Sequence, residues 1–229
     1  MEGTPSSSSG LSRRLWGDAQ VQASVLRALH HPFVIALASG VLPREAFQSY
    51  IAEDAFFLKS FAEGYSAAIS RCGPGQEHVA RGLGELLQGV QEELKLHDSY
   101  AAEWGVDLSQ HQQPNPATRA YVDWVHAIAQ DPKQGVAGIL SAMVPCLRLY
   151  AFLACQLAKG YPFADHEYTE WVRSYSSAEY LRLPAKAEAL LDETGGTEDF
   201  GVFLFASPWL LLVCPILLTP AGQDGGAAG

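Results

Sequence analysis

An all-α bundle is what this sequence predicts, and three observations carry the prediction. Apolar residues recur at spacings of three and four along most of the chain. Proline, glycine and capping residues fall between those runs, where helices start and stop. Nowhere does an alternating polar–apolar run lie between hairpin signals, so no strand is expected. The helical pattern extends from about Leu15 to Glu193 and contains no internal repeat.

The elements follow in order. A first helical region carries His30 and His31 near it. The next helix runs from Pro43 to about Arg71, with Pro43 in its first turn, where no amide donor is needed. Phe47, Tyr50, Ile51, Phe57, Leu58, Phe61 and Tyr65 form its apolar stripe, and Cys72-Gly73-Pro74-Gly75 stops it. A helix from Gln76 to Trp104 follows, striped by Val79, Leu83, Leu86, Leu87, Val90 and Leu94. Asn115-Pro116 is a cap and first-position pair for the next, which ends near Asp131-Pro132. Another covers roughly Gln134 to Lys159 and ends at Gly160. Ser176 and Glu179 have capping-box spacing and open the last, finished by Thr194-Gly195-Gly196.

Composition bounds the function. The 229 residues are 48% hydrophobic and hold 15 basic against 25 acidic side chains, for a net charge of −10. That balance argues against nucleic-acid binding, which needs a basic footprint. The apolar content is too high for a disordered chain and suffices for one domain with appendages. Cys72, Cys146, Cys155 and Cys214 contain no CxxC pair and read as reduced thiols of an intracellular, cytosolic protein. Residues 1–11 read as a disordered segment, 12–193 as the helical domain and 194–229 as an atypical tail. Arg13-Arg14 is followed by no apolar core, against a secretory signal, while the Ser-rich start leaves a short organellar transit peptide as the alternative.

No HExxH, Walker loop, GxGxxG or GxSxG occurs, and the histidines at 30, 31, 78, 97, 111, 126 and 166 form no ligand-spaced set. No Glu-x-x-His pair suits a di-iron bundle. A haem could be proposed on His30 or His31.

The informative feature is polar chemistry on core stripes. At about 100° per residue, Asp54 shares a face with Phe47 and Phe61, so its carboxyl needs a partner or lines a cavity. An internal salt bridge or a helix-to-helix hydrogen bond is the competing reading. Glu53 and Glu63 fall off that face and are expected to be solvated. Cys146 shares a face with Tyr150 and Leu153, with Arg148 pointing away. Pro145 before it removes a donor, leaves the Ser141 carbonyl outside the helix ladder, and would open space by a kink beside the thiol. The competing reading is a small buried hydrophobe. His97, between Leu94 and Ala101, is expected to be a core histidine paired to a carboxylate. Tyr121 shares a face with Trp124, Val125 and Ile128, and Tyr175 stands where a chain reversal could aim its ring inward. Together these residues describe an aromatic pocket for a flat, polar heterocycle.

Five segments in order resemble the TenA (thiaminase II) family: His31-Pro-Phe-Val34, Tyr50-Ile-Ala-Glu-Asp54-Ala-Phe-Phe-Leu58, Glu92-Glu-Leu-Lys-Leu-His97, Val144-Pro-Cys146-Leu-Arg-Leu-Tyr150 and Trp171-Val-Arg-Ser-Tyr175. The chain is most similar to the TenA-like domain that plants carry fused to a thiamine-monophosphate phosphatase, although it holds no Asp-x-Asp motif for such a module. The resemblance implies a haem-oxygenase-like fold, a homotetramer, a pocket for the pyrimidine of thiamine, and no metal or organic cofactor. It implies hydrolysis of 4-amino-5-aminomethyl-2-methylpyrimidine to ammonia and the hydroxymethylpyrimidine used in thiamine salvage; some members also cleave thiamine. Cys146 would be the nucleophile, with its pKa lowered or its proton taken by a base. Asp54 would bind the amino group and ring nitrogen. Tyr121, Tyr175, Tyr150 and Phe57 would line the pocket, Phe57 standing where many members have tyrosine.

The resemblance also implies a glutamate on a final helix as general acid. After Glu193 no acidic residue occurs between Asp199 and Asp224, and the uncharged run Phe200–Thr219 stands in place of that helix. Two alternatives follow: an impaired isoform that binds pyrimidines or hetero-oligomerises, or a tail-anchored form, since twenty helical residues could span about 30 Å of bilayer. An unanchored, poorly structured tail is the remaining reading.

Overall fold

The computed structural model describes residues 10–160 and 165–195. Among them there is no strand, as the sequence leads one to expect. The helices are α1 (Leu11–Trp16), α2 (Ala19–Leu29), α3 (Pro32–Ala38), α4 (Arg44–Ser70), α5 (Glu77–Glu103), α6 (Pro116–Gln130), α7 (Val136–Gly160), α8 (Thr169–Tyr175) and α9 (Ala178–Gly195), with a 3-10 turn at Leu108–Gln110. The expected Phe200–Thr219 run lies outside the described residues, as does Cys214.

Local chemistry sets the boundaries. Asp18 caps α2, its Oδ1 accepting from the Gln20 and Val21 amides at 2.8 and 3.3 Å. Asn115 caps α6 in the expected way, accepting from the Ala117 and Thr118 amides at 2.9 Å each. His31 caps α3, with Nδ1 accepting from the Phe33 amide at 3.2 Å, and His30 Nδ1 bonds the Leu26 carbonyl at 2.8 Å. Both candidate haem histidines are thus tied to a helix junction.

Three expectations shift. Pro43 is the N-cap of α4 rather than a residue of its first turn. The capping box at Ser176 and Glu179 does not form. Ser176 ends α8, its hydroxyl bonding the Val172 carbonyl at 2.7 Å, and Ser177 caps α9 by accepting from the Tyr180 amide at 3.1 Å. Glu53 is not simply solvated: both its oxygens accept from the Asn115 amide at 3.1 Å, fixing the start of α6 against α4.

α4 is the central strut, packed against α5, α6 and α7, while α9 lies along α7 and touches α1 and α5. α7 is long and apolar enough to cross a membrane, yet 78% of its most apolar window is buried inside the fold, which makes it the core helix. It runs through Pro145 without interruption. α4 and α7 approach closely at Gly64, where a Cβ would lie 2.7 Å from Met143 Sδ. Asp54 of α4 and Cys146 of α7 line one cavity.

Candidate active site

Helical spacing builds the cavity wall by wall. α4 contributes Asp54, Phe57, Leu58, Phe61 and Tyr65. α5 contributes Leu86, Gly89, Val90, Glu92 and Glu93, and α7 contributes Cys146, Leu147 and Tyr150. Tyr175 at the end of α8, with Glu179, Tyr180 and Leu183 on α9, closes the enclosure. The cavity holds about 300 Å³, at the small end of the range for organic ligands. A second chamber of about 410 Å³ adjoins it, and Asp54, Glu93, Tyr175 and Tyr180 face both.

Asp54 and Cys146 therefore share one hollow, with Phe57, Tyr150 and Tyr175 around them. Asp54 is 17% exposed, and its Oδ2 lies 4.0 Å from Nδ1 of the buried His97, too far for a hydrogen bond but close for charge. Burial pushes the Asp54 carboxyl from 3.8 up to about 7. The competing salt-bridge reading is met in part, since the histidine expected to pair with a carboxylate faces this one.

Cys146 is 8% exposed, and burial together with the Asp54 charge pushes its thiol well up. Of the two ways to activate the sulfur, a lowered pKa is therefore not in place at rest, and proton removal by a neighbour is the route left. Arg148 does point away: it pairs with Glu188 at 2.5 Å and lies over the Trp16 ring, 4.4 Å from its centroid.

The tyrosines divide. Tyr175 faces the cavity, with its hydroxyl 3.3 Å from that of Tyr50. Tyr50 in turn accepts from Trp171 Nε1 at 3.0 Å, which leaves its own proton available for Tyr175. Tyr121 stands behind the wall: fully buried, it donates to the Ala142 carbonyl at 3.0 Å and stacks under Phe57, ring centroids 5.0 Å apart. It shapes the pocket through Phe57 without facing it.

Sequence reasoning passed over Glu93 and Tyr180. Glu93 follows Leu86 and Val90 and precedes His97 by helical steps, a signal that could have placed it on the inner face. Removal from water and the Asp54 charge push its carboxyl up to about 7, against a downward pull from His97.

The profile of the TENA/THI-4/PQQC family matches residues 18–195. The chain is 31% identical over 207 residues to the bifunctional TH2 protein, mitochondrial, of Arabidopsis thaliana, covering 82% of this chain and 33% of that protein. It is 25% identical over 173 residues to the aminopyrimidine aminohydrolase of Helicobacter pylori, covering 74% of each. Among solved structures, a TenA homologue from P. horikoshii OT3 matches with a TM-score of 0.75 at 23% identity, covering 91% of this chain and 95% of that one, a likeness of fold. The chain spans only 33%, 24% and 28% of the length of three curated relatives, the plant protein among them.

Proposed function

Because the chain belongs to the TENA/THI-4/PQQC family and has its all-α, haem-oxygenase-like fold, we propose that it is an aminopyrimidine hydrolase of thiamine salvage. The observation that carries this reading is the shared hollow: an acid and a thiol on adjacent helices, enclosed by aromatic rings. Its size and walls suit a flat heterocycle of about ten heavy atoms.

The reaction follows from the groups present. A protonated Asp54 donates to a ring nitrogen and accepts from the exocyclic amino group beside it, two hydrogen bonds that fix the ring. The proton moves to the ring nitrogen and leaves the ring electron-poor. The emptied carboxylate takes the thiol proton as Cys146 sulfur bonds to a ring carbon, so Asp54 ends as it began. Loss of aromaticity then lets the substituent on the exocyclic methylene, an ammonium, depart as ammonia with the C–N bonding pair. Water adds its oxygen to that methylene and gives its spare proton to the released ammonia. The C–S bond then breaks with its pair on sulfur, which regains a proton from the ring nitrogen through Asp54, restoring ring and thiol. Tyr175 and Tyr150 hold the ring edge, and Phe57 supplies an apolar face.

A homo-oligomer and a cytosolic location belong to the same reading, with an organelle the alternative suggested by the mitochondrial plant relative. The test is to incubate the full chain with 4-amino-5-aminomethyl-2-methylpyrimidine and identify the products by mass spectrometry. Hydroxymethylpyrimidine with equimolar ammonia is expected. Tight binding of the product without turnover would instead support a pyrimidine-binding protein.

A further inference from the structure

The charge distribution of the two chambers goes further than the identity of the reaction. Among the described residues lining the first cavity there are four carboxyl side chains, Asp54, Glu92, Glu93 and Glu179, and no lysine, arginine or histidine. The second chamber adds Glu170, which pairs with Arg173 at 2.9 Å, and the buried His97, and again no lysine or arginine among its described lining. Glu92 is occupied by Gln88, whose Nε2 donates to it at 2.8 Å. Glu93 makes no hydrogen bond or ion pair with any described residue, and it stands where both chambers meet.

Resting on the pyrimidine reading above, we propose that Glu93 is the specificity residue of this site: it selects pyrimidines whose exocyclic substituent is cationic and rejects those carrying a phosphate ester. A primary alkyl amine is an ammonium near neutral pH, and a thiazolium is permanently charged. Either would hold the Glu93 carboxyl in its ionised form and pair with it in a charge-assisted contact, which no described residue does. A phosphate ester would bring its negative charge to a wall of carboxyl groups on which, among the described residues, no lysine or arginine stands to receive it. The same contact helps the chemistry. An ammonium held as such leaves as ammonia when the C–N bond breaks, the pair departing with nitrogen, and needs no further proton. The alcohol that replaces it is neutral, so the contact is lost and the product is free to leave. Any phosphorylation of that product must come afterwards, on another site.

The experiment is calorimetry on the full chain in a Cys146→Ser background, which blocks turnover, with Glu93 intact, Glu93→Gln or Glu93→Asp. The probes are the aminomethylpyrimidine, the hydroxymethylpyrimidine and the phosphate monoester of the latter. With Glu93 intact the amine should bind about tenfold tighter than the alcohol, and the phosphate at least about tenfold weaker. Glu93→Gln should bring amine and alcohol within about threefold while leaving the alcohol unchanged, and Glu93→Asp should retain much of the preference. An amine-to-alcohol ratio unmoved by Glu93→Gln, or equal weakening of both, would overturn the assignment. Failure of all three probes to bind with Glu93 intact would instead overturn the pyrimidine reading, and this inference with it.

Discussion

Asp54 and His97 face each other across the α4–α5 interface, Oδ2 to Nδ1 at 4.0 Å, and the far ring nitrogen of His97 donates to the Ile51 carbonyl at 3.0 Å. That second bond settles the tautomer of the neutral ring: Nε2 carries the proton, so Nδ1 turns its lone pair toward Asp54. A protonated Asp54 thus faces an acceptor, the form in which the proposed proton relay starts.

Replacing His97 by leucine puts an apolar side chain where a polar ring faces Asp54 at 4.0 Å, which deepens the burial that already raises its carboxyl. The upper limb of the pH profile of kcat/KM should then move to higher pH by roughly half a unit to one unit. A rate-against-pH series on the two proteins checks this. A fall in rate with an unmoved profile would reduce His97 to a packing residue.

Asp54 itself makes stability and activity pull apart. Its folded-state value, about 7, lies above the ordinary 3.8, so its contribution is full below the ordinary carboxylate range and is lost as pH rises through about 7. At pH 8 the folded chain holds a buried carboxylate at a cost on the order of a few kcal/mol. Asp54→Asn should therefore raise Tm by about 3–8 °C at pH 8 and change it little at pH 4. The amide can still make both hydrogen bonds to an aminopyrimidine, so binding should survive while kcat falls about 10²–10⁴-fold. Thermal melts at the two pH values, with turnover alongside, measure both signs.

Tyr121 and Tyr175 should respond differently to loss of the hydroxyl. Tyr121→Phe breaks a buried bond to the Ala142 carbonyl and should cost about 1 kcal/mol of stability, with KM little changed. Tyr175→Phe removes a group facing the cavity and should act mainly on KM. Denaturant midpoints and steady-state kinetics separate the two.

The Cys146 thiol, buried and pushed up in pKa, should be poorly reactive in the free protein. Iodoacetamide at pH 7.5 should label it at least about a hundredfold more slowly than the same thiol in urea. Peptide mapping gives the rate at each cysteine.

Much of this architecture was legible in the residues because long helices write their faces at spacings of three and four. Phe47, Asp54 and Phe61 on α4, and Cys146 with Tyr150 on α7, follow directly from that period. Asn115 was readable because its cap needs only its own neighbours. What was missed depends on partners distant in sequence. Ser176 and Ser177 are equally good caps on paper, and only the turn between α8 and α9 decides for the second. Tyr121 looked pocket-facing because its stripe is aromatic, but the Ala142 carbonyl on another helix claims its hydroxyl. Glu93 was hidden by the ordinary expectation that a glutamate on a long helix is solvated.

The central claim is that Cys146 forms the bond to the substrate. Ammonia release from 4-amino-5-aminomethyl-2-methylpyrimidine by the unmodified chain and by Cys146→Ser tests it most directly. The account predicts steady release by the first and a loss of at least about a thousandfold in the second, with the hydroxymethylpyrimidine still bound by both. Equal rates from the two proteins would contradict it.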